Sequence, residues 1–148
     1  MRSVHVGGVP MGLALTRGGQ LLYVATRDAN KVVLVDCPGL SVAGALELEG
    51  SPARVRLTAD DRFLLVTLMR TGQLAVLDTA TRREVVRLTV GAGAEGLTVD
   101  ERSGYGYASA QGAARVVKFS LTDWRPVLEI ATKAGPDPVE VVQLPPRP

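Results

Sequence analysis

The sequence has one cysteine, one histidine and few aromatic residues. Cys37 alone cannot form an internal disulfide, and its Cys-Pro-Gly turn has no second cysteine or histidine to activate the thiol. With His5 as the single histidine, the chain lacks the parts of a Ser-His-Asp triad, a histidine-rich zinc site or a histidine-ligated haem. Aromatic residues make up 4% of the chain, too few for platforms that stack nucleic-acid bases. We therefore expect no catalytic residues of these kinds, no cofactor and no metal.

Dense basic clusters and long apolar runs are also missing. The 17 Lys and Arg residues and 15 Asp and Glu residues leave a net charge of +2, spread along the chain. The basic patch of a nucleic-acid-binding protein is therefore absent. No apolar stretch approaches the roughly 18 residues of a membrane span, and the N-terminus is too short and mixed for a signal peptide. As written, the sequence predicts a cytoplasmic protein that binds neither nucleic acid nor membrane; for an excerpt of a longer exported protein the compartment would stay open.

What the sequence does have is a repeat with a period of 42 residues. Residues 10–16 (PMGLALT) recur as residues 52–58 (PARVRLT), and again, with alanine at the proline position, as residues 94–100 (AEGLTVD). Other segments keep the same step of 42 residues, at 22–26, 64–68 and 106–110, and at 33–36, 75–78 and 117–120. A repeat of roughly 40 to 45 residues that holds four short strands is the period of a β-propeller blade. We therefore predict an all-β fold of four-stranded antiparallel blades.

Each repeat divides into four short apolar runs separated by turn residues. In the second repeat, residues 54–57 and 85–88 alternate, while 63–68 and 74–77 are almost continuously apolar. Such runs are typical of strands, and the middle two are apolar on both sides because a blade packs between two neighbours. A polar residue follows the third strand of each repeat and is expected to accept hydrogen bonds from the backbone of its turn. These residues are Asp36, Asp78 and Ser120.

The second repeat carries a more specific pattern. Residues 52–91 contain Pro-x-x-Val-x-Leu-Thr-x-Asp-Asp-Arg-x-Leu-Leu-Val-Thr, then Leu-Ala-Val-Leu-Asp-Thr-Ala-Thr, then Glu-Val-Val-Arg-Leu-Thr-Val-Gly. This pattern resembles the YVTN family of β-propeller repeats. The first repeat is similar, with residues 23–26 (YVAT) at the tetrapeptide that names the family, whereas the third departs from it with residues 107–110 (YASA) and Ala94. The resemblance implies blade architecture over nearly the whole chain, and it implies no single activity because this fold carries many functions.

The phase of the repeat predicts where each blade begins and ends. Residues 1–7 align with the outer strand of an incomplete blade, and residues 135–143 with the inner strand of a further one. Between them lie three complete blades, at 8–49, 50–91 and 92–134, and a proline-rich tail at 144–148 ends the β structure. Closed propellers usually have at least four blades. Residues 1–143 are therefore expected to form a partial propeller, an incomplete ring in one chain.

Polar residues in the loops that such propellers gather around the central channel are the candidate binding residues. They are Asp28, Asn30, Arg54, Arg70, Glu95, Asp137 and Glu140. Arg56 joins them because it lies in an innermost strand, where a buried guanidinium needs an acidic or carbonyl partner and an accessible one suits an anionic ligand. Trp124, on an outer turn, either anchors a partner or covers the end of its own blade. No Asp-x-Asp calcium loop occurs, so no metal ligands are assigned.

Residues 91–96 (GAGAEG) match the dinucleotide-binding pattern G-x-G-x-x-G. That pattern binds pyrophosphate only where a helix follows it, and here a strand pattern follows. We therefore predict an inter-blade turn.

Intact blades without a matched catalytic acid and base favour a non-catalytic interaction or scaffold module that binds another protein or a second copy of itself. Three blades leave apolar blade faces open at both ends, so we expect a homodimer that closes a six- or seven-fold ring. The alternative is a fragment of a propeller enzyme that resembles a lactonase, with its site at the channel mouth.

Overall fold

The computed structural model describes residues 2–133 and 135–142. These residues form three four-stranded antiparallel sheets in which strands follow one another in sequence order. Blade 1 consists of β1 (Pro10–Leu15), β2 (Leu21–Thr26), β3 (Lys31–Asp36) and β4 (Ser41–Glu47). Blade 2 consists of β5 (Pro52–Leu57), β6 (Phe63–Leu68), β7 (Gln73–Asp78) and β8 (Arg83–Thr89). Blade 3 consists of β9 (Ala94–Asp100), β10 (Tyr105–Ala110), β11 (Arg115–Ser120) and β12 (Pro126–Ala131). Within the described ranges no helix is long and apolar enough to cross a membrane.

The predicted turn residues hold the turns that follow the third strands. In each blade a side-chain oxygen at this position accepts a hydrogen bond from a backbone amide of its own turn, which confirms the prediction. The amides of Gly39, Thr81 and Thr122 donate to Asp36, Asp78 and Ser120, at 2.8, 2.8 and 3.1 Å respectively. The same turns each contain a residue with positive φ, at Leu40, Arg82 and Trp124. The 42-residue repeat of the sequence is therefore also a repeat of backbone geometry.

The core lies between the blades, in two layers that we call seam 1 (between blades 1 and 2) and seam 2 (between blades 2 and 3). Strand β6 shows how the sequence divides between them. Leu64 and Val66 pack in seam 1, whereas Leu65 packs in seam 2, because successive residues of a strand point to opposite faces of the sheet. All three side chains are fully buried. This explains why the second strand of blade 2 is almost continuously apolar.

The innermost strands β1, β5 and β9 lie side by side along the centre of the array. At Gly12 the two inner strands approach so closely that a Cβ atom would lie 2.5 Å from the carbonyl oxygen of Ala53. Only glycine fits this position without a shift of the backbone of blade 2. The central strands are thus positioned by backbone contact as well as by side chains.

The segments that flank the three blades carry no strand. Val4 and Val6 pack against Val24, Val33 and Val35 of blade 1. Their counterparts 42 residues later, Leu46 and Leu48, occupy seam 1, so residues 4–6 take the place that the outer strand of a preceding blade would hold. Residues 2–7 carry no strand pairing with any described residue. The assignment of residues 1–7 as an outer strand stays a prediction.

The segment after blade 3 runs beside β9. A Cβ atom on Gly96 would lie 3.2 Å from Asp137, much as one on Gly12 would meet the next blade. Residues 135–142 carry no strand pairing, and the assignment of residues 135–143 as the inner strand of a further blade stays a prediction. The proline-rich tail predicted at 144–148 lies outside the described residues.

Candidate functional site

The loops between second and third strands meet the connectors between blades at one end of the array. In blade 1 this junction is held by Asn30, which has a positive φ of 51°. Its side-chain oxygen accepts hydrogen bonds from the amides of Gly50 (3.2 Å) and Ser51 (3.0 Å), and its carbonyl oxygen accepts one from the amide of Leu48 (2.8 Å). The side-chain oxygen of this candidate ligand residue is therefore already bound to the connector.

Asp28 ties the same loop to the residues before β1. Its exposed carboxylate accepts a hydrogen bond from the amide of Val9 at 2.5 Å. This bond holds the pKa of Asp28 below its usual value, because it stabilises the charged form. Arg70 occupies the corresponding place in blade 2, where its side chain is exposed and its amide donates to the carbonyl oxygen of Gly50 at 2.9 Å. Asp28 fixes its loop, whereas the guanidinium of Arg70 faces solvent.

Arg54 and Asp137 are the candidate residues that the structure brings into an ion pair. The guanidinium Nη2 of Arg54 lies 3.8 Å from Oδ2 of Asp137, and the two side chains are 32% and 18% exposed. Arg54 lies in β5 of blade 2, and Asp137 follows blade 3. The ion pair therefore spans β9, the inner strand of blade 3. The amide of Arg54 also donates to the hydroxyl of Thr67 at 3.0 Å, which fixes the start of β5 against β6.

The second oxygen of Asp137 is buried and accepts no hydrogen bond from the described residues. Gly96 stands directly beside it and adds no side chain to cover it. A buried carboxylate oxygen without a partner is unfavourable, so this position is an open acceptor at the channel side of the array.

The remaining acidic candidates, Glu95 and Glu140, differ in burial. Glu95, at the start of β9, is half-buried, and its carbonyl oxygen accepts the hydroxyl of Thr67 at 2.9 Å. Glu140 is exposed. Across the part of the chain that the structure describes, no three His, Cys, Asp or Glu side chains cluster as metal ligands would.

Arg56 lines an open cleft of about 460 Å³ between β1 and β5. Its side chain is exposed, and Nη1 lies 3.4 Å from the carbonyl oxygen of Val55. Because the guanidinium reaches solvent, it needs no buried carboxylate partner. Leu13, Leu15 and Asp61 also line the cleft, whose volume is in the range of small-molecule sites.

Trp124, for which the sequence leaves open a partner anchor or a cover for the end of its own blade, is a buried side chain. It is 7% exposed and packs edge-to-face on Phe63, with ring centroids 5.0 Å apart and an interplanar angle of 73°. Phe63 belongs to blade 2, so Trp124 covers the neighbouring blade and not only the end of its own. Both residues belong to the core of seam 2.

Two blade faces have no neighbouring blade among the described residues, and we call them the free faces. The free face of blade 1 consists of the residues that align with the blade 2 residues packed in seam 1. The free face of blade 3 consists of the residues that align with the blade 2 residues packed in seam 2. The free face of blade 1 comprises Leu13, Leu15, Leu22, Val24, Val33 and Val35, and that of blade 3 comprises Tyr105, Tyr107, Val116, Lys118, Leu128 and Ile130. Ile130 is 44% exposed, while its counterparts Leu46 and Leu88 are 9% and 7% exposed. The sequence predicted open apolar faces but not which residues form them. The alignment of the 42-residue repeats identifies these residues.

Neither a family model nor a curated protein matches the chain. Among solved structures, hydrazine synthase from Kuenenia stuttgartiensis matches 90% of the chain with a TM-score of 0.80 at 18% identity. KlHsv2 with loop 6CD replaced by a Gly-Ser linker matches 84% with a TM-score of 0.62 at 12% identity. Both are propeller proteins. The fold is that of β-propeller blades. The part-propeller spans 39% and 40% of those two chains, and identities this low show the fold alone. The predicted all-β class is confirmed, and the resemblance to YVTN repeats stays a prediction.

Proposed function

We propose that this part-propeller is a non-catalytic interaction module whose free faces bind further propeller blades. The observation that carries the proposal is the difference in exposure of equivalent residues. Val55 is fully buried in seam 1, whereas its counterpart in blade 1, Leu13, is 57% exposed. Ile130 shows the same contrast on blade 3. Covering a large aliphatic side chain contributes about 1.5–3 kcal/mol, so each free face gains stability when a blade packs on it.

Self-association is the simplest form of this function. Two copies would supply six complete blades, and the homodimer expected from the sequence would join blade 3 of one copy to blade 1 of the other. Such a contact is heterologous, because it joins two different faces and closes only as a ring. The partner in this form is a second copy; in the more general form it is another protein with propeller blades.

The test blocks each free face with a charge. We expect Leu13→Asp and Ile130→Asp to reduce both the binding of an apolar fluorescent dye and concentration-dependent association, measured by sedimentation velocity. Val85→Asp is the matched control, because Val85 is 52% exposed but lies on the outer strand of blade 2, which has neighbours on both sides. A wild-type chain that stays a monodisperse monomer, unfolds cooperatively and binds no dye would contradict the proposal.

A second candidate function is a small-molecule site at the channel mouth. The unpartnered Asp137 oxygen beside Arg54 is the observation that favours it, and the alternative from the sequence, a fragment of a lactonase-like enzyme, would place acidic residues here. The test is a thermal-shift screen with divalent cations and sugar lactones. A rise in melting temperature that Asp137→Asn abolishes, and that also requires Glu95 and Glu140, would support this candidate, whereas a rise that persists in these variants would reject it.

A further inference from the structure

One aligned position of the third strands is buried in a seam in blades 1 and 2 but carries a charged residue in blade 3. Leu34 and Val76 occupy it in blades 1 and 2, where they are 1% and 0% exposed. In blade 3 the residue at this position is Lys118. A blade that covered blade 3 in the same way would therefore enclose an ammonium group at the centre of the new seam.

The surroundings of Lys118 are aromatic and apolar. Its ammonium nitrogen lies 3.7 Å from the ring centroid of Tyr105 and 5.9 Å from that of Tyr107. Its cross-strand neighbour on β12 is Leu128. Within residues 2–133 and 135–142 no carboxylate forms an ion pair with Lys118. The two rings hold the cation in place, and among the described residues neither tyrosine hydroxyl accepts a hydrogen bond from the ammonium group.

We propose, as an inference that rests on the proposed function, that the blade which binds blade 3 carries a carboxylate facing Lys118. Moving an unpaired ammonium group out of water is far more costly than a seam contact is favourable, whereas a paired and hydrogen-bonded one is tolerated. The other positions of this face keep the apolar character of seam 2, since Val116, Leu128 and Ile130 correspond to Leu74, Val86 and Leu88 there. The partner surface is therefore a blade face that is aliphatic except for one acidic residue.

A second copy of this chain fits that requirement poorly. Val76 of blade 2 and Val117 of blade 3 belong to the core cluster of seam 2. If blade 1 of a second copy covered blade 3 in the same way, Lys118 would lie at the position of Val76, and Val33 of the second copy would lie at the position of Val117. The free face of blade 1 offers Val33 and aliphatic neighbours at these positions, and no carboxylate. In addition, Val4 and Val6 of the second copy already cover part of that face, in the place that β12 would take. Blade 3 is thus better suited to a blade of another sequence.

The test compares self-association of five forms of the whole chain by sedimentation velocity over a range of concentrations. Lys118→Val restores the residue of blade 2, and we expect it to strengthen self-association by roughly tenfold or more, because the unpaired charge is removed. Lys31→Val is the control, since it removes a lysine that is 42% exposed on blade 1 and pairs with Glu47. Val33→Glu is the probe for an acidic blade face. Each of its copies carries the new carboxylate on blade 1 and Lys118 on blade 3, so we expect it to associate with itself more tightly than the wild-type chain does, whereas the double variant Val33→Glu with Lys118→Glu is not expected to associate.

The outcomes separate the inference from the proposed function. A wild-type chain that associates as tightly as Lys118→Val overturns the inference and leaves the proposed function standing. If Val33→Glu does not fold, the comparison of Lys118→Val with wild type still decides. If neither the wild-type chain nor any variant associates or binds an apolar dye, the proposed function falls, and the inference falls with it.

Discussion

At the scale of the residue, the polar side chains of the connector end mostly serve the backbone. Asn30 and Asp28 were predicted as ligand-binding residues because polar groups in loops near a channel are accessible. In the folded chain both accept hydrogen bonds from backbone amides, Asn30 from the connector between blades 1 and 2 and Asp28 from the segment before β1. Which amides lack a partner depends on how two blades are joined, and a sequence pattern does not contain that information.

Replacing Asn30 separates its two roles. Asn30→Ala removes the acceptor of two amides and places alanine at a φ of 51°, so we expect a loss of about 2–4 kcal/mol in the free energy of unfolding. Asn30→Gly loses the same acceptor without the strain, and is expected to be about 1 kcal/mol more stable than Asn30→Ala. Urea denaturation measures both. Equal stabilities of the two variants would contradict the contribution of backbone strain.

The turn aspartates make stability depend on pH. The backbone hydrogen bond from Thr81 and that from the Thr81 hydroxyl lower the pKa of Asp78 from its usual value of 3.8, and hydrogen bonds likewise lower the pKa of Asp60 and Asp100. A carboxyl group with a lower pKa in the folded state binds protons less readily there than in the unfolded chain. Its contribution is therefore complete above the unfolded pKa and is lost as the pH falls through the folded pKa.

We expect the urea midpoint to be constant above about pH 5 and to fall below about pH 4. Asp78→Asn should make this acid-side fall shallower, because asparagine accepts the same hydrogen bonds without titrating. Glu140→Gln is the suitable control, because Glu140 is exposed. Asp137→Asn is unsuitable, since it changes an ion pair. An identical pH profile for Asp78→Asn and the unchanged chain would reject the assignment.

At the scale of the element, the strands and turns followed from the sequence because they are local. Period, alternation and turn residues identify β1 to β12, and each of these signals lies within one repeat. The position of Trp124 did not follow, because it depends on which blade its turn covers. The turn after the third strand reaches back to the preceding blade, as the contact between Trp124 and Phe63 shows. Lys118 was not identified from the sequence, because one charged residue does not change the pattern of a strand. Its charge is unusual only in comparison with the aligned residues Leu34 and Val76.

Trp124 is the single tryptophan of the chain, so its fluorescence reports on seam 2. We expect blue-shifted emission in the folded state and a red shift on unfolding, because the ring is 7% exposed. Trp124→Ala should lower the free energy of unfolding by about 3–5 kcal/mol, since it leaves a cavity against Phe63. Arg82→Ala is the matched control at the same turn position of blade 2, where the side chain is exposed. Native emission typical of a solvated indole would contradict the packing.

At the scale of the whole molecule, the array has two unlike ends. Blade 1 is partly covered by the chain itself, whereas blade 3 has Lys118 at the centre of its free face. Stacked repeats interact mainly with their nearest neighbours, so a terminal face contributes to stability only through what covers it. In the described structure residues 4–6, and not the strands of another blade, cover part of the free face of blade 1.

Removing this cover tests its role. Val4→Ser together with Val6→Ser weakens the contacts with Val24, Val33 and Val35. We expect a loss of about 2–3 kcal/mol in the free energy of unfolding, because two partly buried aliphatic side chains are lost. We also expect greater binding of an apolar dye and stronger self-association, since β12 of a second copy can then take the vacated place. His5→Ser is the matched control, because the side chain between the two valines is exposed. If the double variant binds no more dye than the control, residues 4–6 do not cover blade 1 in solution.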